Sequence, residues 1–252
     1  TLVGAGAGDI ELLTVKAYRL LQEADVVLYD WLVNPEVLTL LSSKCEALYV
    51  GKKAGAHSMS QAEICELMLQ KAQAGNKVVR LKGGDPSIFG RLNEETDILT
   101  KHNIPFAIVP GVTAASACAA YTGIPLTDRA CSQSVRLVTA HLKDDDAQPQ
   151  WPNLATSKDT LVFYMGLNRV EHVAKQLIDN GMSADMPMAI IDKGTSKEQD
   201  LCCSTLANIS STQQWKSFTG PALIVVGKVV ERRHQVDLTL LSKDSILVIS
   251  TI

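Results

Sequence analysis

Three glycine-centred segments and one aspartate carry the plainest chemistry in this 252-residue chain. Gly4-Ala5-Gly6-Ala7-Gly8-Asp9 follows a strand-like start and leads into a helical pattern. Glycine there allows a tight turn and close approach of backbone to a ligand. Lys82-Gly83-Gly84-Asp85-Pro86 stands in the same relation to Val78–Leu81 and runs on into Ile88-Phe89-Gly90-Arg91. Gly111-Val112-Thr113-Ala114 follows Phe106–Val109. Loops at the carboxyl ends of parallel strands share one edge of a sheet, so the three are expected to converge on one ligand.

The first loop suggests a dinucleotide fingerprint, and Asp30 ends the second strand about 20 residues on, where a ribose-binding acid would stand. The register opposes this. After Gly4 and Gly6 the third glycine belongs at position 9, which is Asp9, and an acid at a helix N-terminus repels a pyrophosphate. The second loop lacks GxxxxGK[ST], and its Asp85 suits a ligand carrying an ammonium or sulfonium better than phosphates. Local readings stand beside these: Asp85 as an Asp-Pro turn that caps the next helix, Asp30 as a strand-end cap.

The elements that must position these residues read as α/β. Short β-branched runs at Leu2-Val3, Val26–Tyr29, Leu48–Val50, Val78–Leu81 and Phe106–Val109 alternate with apolar-periodic segments at Leu12–Leu21, Glu36–Leu41, Gln61–Ala72, Leu92–Thr100 and Ala114–Tyr121. Such alternation predicts a mainly parallel sheet covered by helices. Ser60-x-x-Glu63 predicts a capping box with Gly75 past the helix end, and Asn168-x-x-Glu171 predicts a second helix start closed by Gly181. After Thr127 the rhythm changes. Val135–Thr139, Leu161–Tyr164, Met188–Ile191, Leu201–Thr205 and Ala222–Val226, with fewer helices between, predict a mixed sheet. We therefore expect two α/β domains, 1–125 and 126–230, with a tail at 231–252 and the active site in the cleft between the domains. The run Lys143–Pro152 reads as an exposed loop. Ile246–Ile249 in the tail is apolar enough to predict a strand or a subunit contact.

Composition narrows the function. A net charge of −3 provides no global field for nucleic acid or an anionic membrane. No apolar run approaches the length of a membrane span, and no signal-peptide pattern is visible. Six cysteines without CxxC spacing point to a reduced, cytoplasmic interior. Of Cys202-Cys203, alternation sends one to the core and the other to solvent. Five histidines without HxxxH or HExxH grouping give a metal site little support, and none is expected. The chain opens within a strand pattern and without Met, which predicts that a few residues precede Thr1.

GAGAGD…LLT, VLYDWLV, VGKKAG, VVRLKGGDPSIFGR, VPGVTAASACAAYTGIPLT and LVFYMG, in this order over nearly the whole chain, resemble the tetrapyrrole methylase family, and within it the branch that C-methylates uroporphyrinogen III. The resemblance implies S-adenosylmethionine as methyl donor, with S-adenosylhomocysteine as by-product. It implies cofactor contacts at Ala7, Gly83, Gly84, Asp85, Ile88, Thr113, Ala114, Met165 and Gly194. Position 7 is commonly proline in the family, and alanine there implies a slightly looser loop with the same backbone contacts. Asp30 matches the family's proposed general base and Lys52 its proposed proton donor. An ionised aspartate suits a reaction in which a pyrrole carbon takes the methyl and the ring then sheds a proton. The substrate's eight carboxylates call for basic partners; the expected ones are Arg91, Arg129 and Lys53, with Tyr164 as a hydrogen-bond partner of either ligand, while His141 and Lys143 either reach the cleft or belong to a solvated loop. Arg80, inside a strand, has the alternative of a structural ion pair.

The implied reaction converts uroporphyrinogen III to precorrin-2 by way of precorrin-1, in sirohaem or cobalamin synthesis, by a homodimer with no nucleic-acid or membrane partner. The dehydrogenase/ferrochelatase half of bifunctional sirohaem synthases has no counterpart here, which implies a stand-alone methyltransferase or a fragment cut to one. The rival readings are methylation of another corrinoid precursor, of diphthine or of ribosomal RNA, a dinucleotide-dependent oxidoreductase, and a non-catalytic sensor of the cofactor.

Overall fold

The structure, a computed structural model, describes residues 1–51, 59–140 and 149–241. The chain forms two compact units, Thr1–Ala117 with Thr195–Lys197, and Cys118–Gly194 with the chain from Glu198 onward. Each contains one five-stranded sheet.

In the first unit, β1 (Leu2–Gly4), β2 (Val26–Tyr29), β3 (Glu46–Tyr49), β4 (Val78–Lys82) and β5 (Ile108–Val109) are all parallel, in the order β3-β2-β4-β1-β5. Strands buried on both faces need near-continuous apolar runs, and Val26-Val27-Leu28 and Val78-Val79 supply them. One face packs Val3, Val27, Val79 and Leu81 against Ala17 and Leu21 of α1 (Val15–Gln22). The other packs Leu2, Leu28 and Val78 against Ile64 and Met68 of α2 (Gln61–Gln73) and Leu99 of α3 (Leu92–Lys101). Period-two alternation puts Arg80 and Lys82 on this second face with Val78. The capping box is present: Ser60 accepts from the Glu63 N–H, and Glu63 accepts from the Ser60 N–H.

Chain direction matters for the site. From β2 the chain leaves outward to β3, while from β4 it passes β1 to reach β5. Neighbouring strands whose connections diverge leave a crevice at their carboxyl ends, where open α/β sheets bind ligands. Here that point lies between Asp30 and Gly83.

In the second unit, β6 (Val135–Thr139) runs parallel to β7 (Thr160–Tyr164), whereas β10 (Ala222–Val226) is antiparallel to both β7 and β8 (Pro187–Asp192), and β9 (Asp200–Thr205) is antiparallel to β8. This mixed sheet packs Leu161, Phe163, Met188 and Ile190 against Trp151 and Leu154 of α5 (Trp151–Ala155) and Val173 and Leu177 of α6 (Val170–Asp179). Another helix, α4 (Ala114–Thr122), runs across the division between the units. Cys202 is buried and Cys203 exposed, as alternation requires, and all six cysteines are free thiols.

Several local expectations are corrected. The helix expected over 12–21 is split into a 3-10 turn, Ile10–Leu12, and α1, because extended Thr14 caps α1 by accepting from the Ala17 N–H. The segment 36–41 is a 3-10 turn, Pro35–Leu40, with the proline in its first turn. Asn168 caps nothing: it lies inside the 3-10 turn Leu167–Arg169, which runs directly into α6. The strand expected over 106–109 shortens to Ile108–Val109. Lys52, Lys53, His141, Lys143 and the apolar run 246–249 lie outside the described residues. Among the described residues no helix is long and apolar enough to cross a membrane, and no group of three His, Cys, Asp or Glu side chains could hold a metal ion.

Candidate active site

The glycine loops of the first unit are joined backbone to backbone. The Gly84 N–H donates to the Gly6 carbonyl at 2.6 Å and the Gly6 N–H to the Gly84 carbonyl at 3.2 Å, while the Ala5 N–H reaches the Lys82 carbonyl at 2.8 Å. A side chain would not fit in this seam: a Cβ on Gly4 would lie 2.6 Å from the Gly111 nitrogen, and one on Gly111 2.2 Å from the Gly84 carbonyl oxygen. Gly84 differs. Its φ of +68° needs glycine, yet an added Cβ would meet nothing closer than 3.8 Å. Open space beside a left-handed glycine is where a ligand can lie against the backbone.

Asp85 is committed to the loops themselves. Its Oδ2 accepts from the Gly111 N–H at 3.0 Å, and its Oδ1 from the Ser87 N–H at 2.8 Å and the Ser87 hydroxyl at 2.5 Å. Burial pushes this carboxyl up, but the Ser87 hydroxyl and the two backbone donors outweigh it and hold it below the usual carboxylate range. Asp85 therefore ties the second loop to the third and caps its own turn. Asp9 likewise caps the turn at Ile10–Leu12 through the Glu11 N–H. Thr195, 6% exposed, accepts from the Asp9 N–H at 3.0 Å and donates to the Ala7 carbonyl. Asn34 donates to the Gly8 carbonyl at 2.8 Å. Ala7, Gly83, Gly84, Asp85, Ile88, Thr113 and Ala114 thus belong to one set of joined loops in one unit.

Asp30 stands at the end of β2. Its Oδ1 accepts from the Leu32 N–H at 3.2 Å and its Oδ2 from Arg80 Nη2 at 3.2 Å, with the side chain 22% exposed. Leu32 closes over Gly83, where a Cβ would lie 2.5 Å from Leu32 Cβ. Behind Asp30 lies a buried charge cluster: Arg80 Nε donates to Glu95 at 3.0 Å, and Lys82 Nζ reaches both Glu95 oxygens at 2.8 and 2.9 Å. Gln61 adds a hydrogen bond to Glu95 at 3.2 Å. Burial lowers the Lys82 pKa and Arg80 adds to this, against the opposing pull of Glu95 and Asp30. Of the two readings open for Arg80, the ion pair is the one observed.

Several large apolar side chains of the first unit are exposed, two of them next to Asp30 in sequence. Trp31, Leu32, Tyr49 and Phe89 are exposed, and Tyr49 meets Tyr29 edge to face. Arg91 adopts a left-handed conformation and forks onto Glu94 through Nε and Nη2, both at 2.6 Å.

The remaining expected site residues belong to the second unit. Met165, with φ +56°, follows β7 and is exposed, and Tyr164 ends that strand. Arg129 is exposed beside the Asp128–Ser132 bridge. Gly194 lies against Cys118, whose sulfur a Cβ would approach to 2.2 Å.

Lys82, Glu95, Gln61 and Thr195 were given no functional role in the sequence reading. A signal existed for Glu95 and Lys82. Glu95 lies three residues after Leu92 and four before Leu99, on the apolar stripe of α3, and Arg80 and Lys82 put two cations on one face of a central strand. Buried charges of that kind require partners. Thr195 had no signal, since its partners lie more than 180 residues away in sequence.

Comparison with known proteins shows the family. The family description Tetrapyrrole (Corrin/Porphyrin) Methylases matches residues 1–210. Siroheme synthase 2 of Yersinia enterocolitica is 50% identical over 236 residues, which cover 94% of this chain and 49% of that protein. The chain spans about half the length of the curated relatives it matches. Uroporphyrin III C-methyl transferase from Thermus thermophilus is 40% identical with a TM-score of 0.78, over 92% of this chain and 98% of that one, and has also been solved with S-adenyl homocysteine. Cobalt precorrin-4 methyltransferase, a cobalamin biosynthetic enzyme, is 30% identical with a TM-score of 0.80, over 91% of this chain and 95% of that one. The joined glycine loops, the aspartate at the divergence of β2 and β4, and these likenesses place the chain in the tetrapyrrole (corrin/porphyrin) methylases.

Proposed function

We propose that the chain methylates ring carbons of uroporphyrinogen III, producing precorrin-2 by way of precorrin-1 for sirohaem or cobalamin synthesis. The observation that carries this reading is the pairing of a backbone-built cradle at Gly84 with an oriented carboxylate, Asp30, one strand away. It is supported by 40% identity over 98% of the Thermus thermophilus C-methyl transferase.

The residues present fit S-adenosylmethionine. Open backbone at Gly84 admits a flat or folded ligand, and the loops bring carbonyls and ionised Asp85 rather than a phosphate nest. When bound, the cofactor supplies an electrophilic methyl on sulfonium, which passes to a nucleophilic ring carbon as the carbon–sulfur electron pair returns to sulfur. Ala7, Gly83, Gly84, Asp85, Ile88, Thr113 and Ala114 would hold the donor, and the family resemblance adds Met165 and Gly194 to its contacts. Alignment of the reacting atoms is the main catalytic contribution, since the protein need not supply a nucleophile. Asp30 accepts the proton that the ring sheds, from a position other than the methylated carbon, once the methyl has been added, and Lys52 donates where a proton must be returned. Trp31, Leu32 and Phe89 cover the apolar macrocycle. Arg91, Arg129, Lys53 and Tyr164 meet its carboxylates, with Arg91 exchanging Glu94 for a substrate carboxylate.

The six free thiols support a reducing, cytoplasmic setting, and we take the working form to be a homodimer without nucleic-acid or membrane partners. A second substrate, another corrinoid precursor, is favoured by the likeness to cobalt precorrin-4 methyltransferase. The deciding experiment incubates the purified protein with methyl-labelled S-adenosylmethionine and uroporphyrinogen III and follows label and product absorbance. Two methyl groups per tetrapyrrole are expected. Asp30→Asn should lose turnover and keep S-adenosylhomocysteine affinity. Label entering only a more highly methylated corrinoid would shift the reading to the second substrate.

A further inference from the structure

The buried cluster behind Asp30 contains more charge than stability alone calls for. Lys82 and Glu95 form a balanced pair, with Lys82 Nζ on both carboxylate oxygens at 2.8 and 2.9 Å. Arg80 adds a further cation, 3% exposed, beside a Glu95 that is fully buried. Surplus buried charge is costly unless it is paired and hydrogen-bonded, and the counter-charge available to Arg80 is Asp30.

Every nitrogen of the Arg80 guanidinium is assigned. Nε donates to Glu95 Oε1 at 3.0 Å, Nη1 to the Leu28 and Leu81 carbonyls at 3.3 and 2.9 Å, and Nη2 to Asp30 Oδ2 at 3.2 Å. A guanidinium is a rigid planar fork, so fixing Nε and Nη1 fixes the direction of Nη2. Asp30 is then held at both oxygens, by Arg80 and by the Leu32 N–H, with its side chain still 22% exposed. Gln61 and Lys82 hold Glu95 in turn, so α2, α3 and β4 all bear on the placement of a single carboxylate.

We propose that Glu95 is a positioning residue for methyl transfer: from beneath the sheet it orients the Arg80 guanidinium, and through it the Asp30 carboxylate that takes the substrate proton. This rests on the assignment of Asp30 as proton acceptor. Glu95 touches neither substrate nor donor. Its effect reaches the reaction through one rigid side chain, and the four charges sum to zero with Asp30 ionised.

The test compares Glu95→Gln, Arg80→Met and Asp30→Asn in the full chain. It measures kcat and KM for uroporphyrinogen III, S-adenosylhomocysteine affinity by calorimetry, and folding by thermal melt. Glu95→Gln keeps an oxygen for Arg80 Nε but loses the charge that anchors it. It should lower kcat about 10-fold or more, the scale expected when a catalytic group is misplaced by a fraction of its contact distance, with S-adenosylhomocysteine affinity within about threefold of wild type. Arg80→Met leaves Lys82 and Glu95 paired and leaves no surplus cation, so it decides the question if Glu95→Gln does not fold. Its kcat should fall on the same scale with affinity kept. Full kcat in folded Glu95→Gln, or equal losses of kcat and affinity, overturns the inference, and so does full kcat in Arg80→Met. Asp30→Asn separates the two claims. If it abolishes turnover while the other variants keep theirs, only the positioning role fails; if Asp30→Asn itself turns over normally, the assignment of Asp30 fails and takes the positioning role with it.

Discussion

Gly84 and Gly111 belong to the same seam of loops, yet alanine at each should fail in a different way. At Gly84 the new methyl would meet nothing nearer than 3.8 Å, so the cost to folding is that of an L-residue at φ +68°, about 1–2 kcal/mol. The space it fills is the space assigned to the methyl donor. Even tenfold weaker binding corresponds to about 1.4 kcal/mol, so calorimetry with S-adenosylhomocysteine should show a Kd at least about tenfold higher. At Gly111 the methyl would stand 2.2 Å from the Gly84 carbonyl oxygen and 2.9 Å from Gly4 Cα. No rotamer relieves a backbone clash, so the loops must separate, at about 1–3 kcal/mol by the scale of overpacked cores. Gly111→Ala should therefore lower the melting temperature and weaken binding together, whereas Gly84→Ala should weaken binding by more than its stability loss accounts for. Wild-type affinity in Gly84→Ala would refute the assignment of that space to the donor. A wild-type melt in Gly111→Ala would refute the packed seam.

Other outcomes follow from the same geometry. Thr195→Val removes both the acceptor for the Asp9 N–H and the donor to the Ala7 carbonyl; it should raise the Kd for S-adenosylhomocysteine several-fold, by about the 0.5–1.5 kcal/mol of a hydrogen bond, while Thr195→Ser stays near wild type in the same titration. The Asp85 carboxyl is held below its ordinary value in the folded protein, so its contribution is complete above the unfolded-state pKa of about 4 and is lost as pH falls through the lower folded value. Melting temperature followed from neutral pH into acid should show that loss, and Asp85→Asn should remove that part of the slope. Burial pushes Cys118 up to about 12, which keeps it a thiol at ordinary pH; peptide mapping after brief alkylation near pH 8 should find it unmodified in the native protein and modified after unfolding.

What was legible in the sequence was local. The β-branched runs and the helices between them gave the parallel sheet of the first unit, and Ser60-x-x-Glu63 marked a helix start because the capping box satisfies its donors within four residues. Asn168 misled for the same reason: a cap signature describes the residues around it and not the 3-10 turn in which they sit. Asp30 was found as a strand-end acid, but the use of Asp85 in joining the second loop to the third was not legible, since its partner Gly111 lies 26 residues on and meets it only after the sheet forms. Glu95 was overlooked among the polar residues of α3, where a helical plot would have put it on the buried stripe. Pairings across the sheet set the site, and periodicity does not carry them.

The strand order has a consequence for how the protein comes into being. β4 is inserted between β1 and β2, so the first two strands of this unit are never neighbours. An emerging chain must keep Leu2–Gly4 and Val26–Tyr29 apart until residues 78–82 arrive, and parallel pairings at that separation are slow to close. The Gly6–Gly84 bridge forms only after that insertion. Ligand binding thus reports on completed topology: a molecule that has paired β1 with β2 could carry native-like helices and still have no place for the donor. Including S-adenosylhomocysteine during refolding should favour the correctly threaded sheet, because it binds a surface that the misthreaded one does not possess.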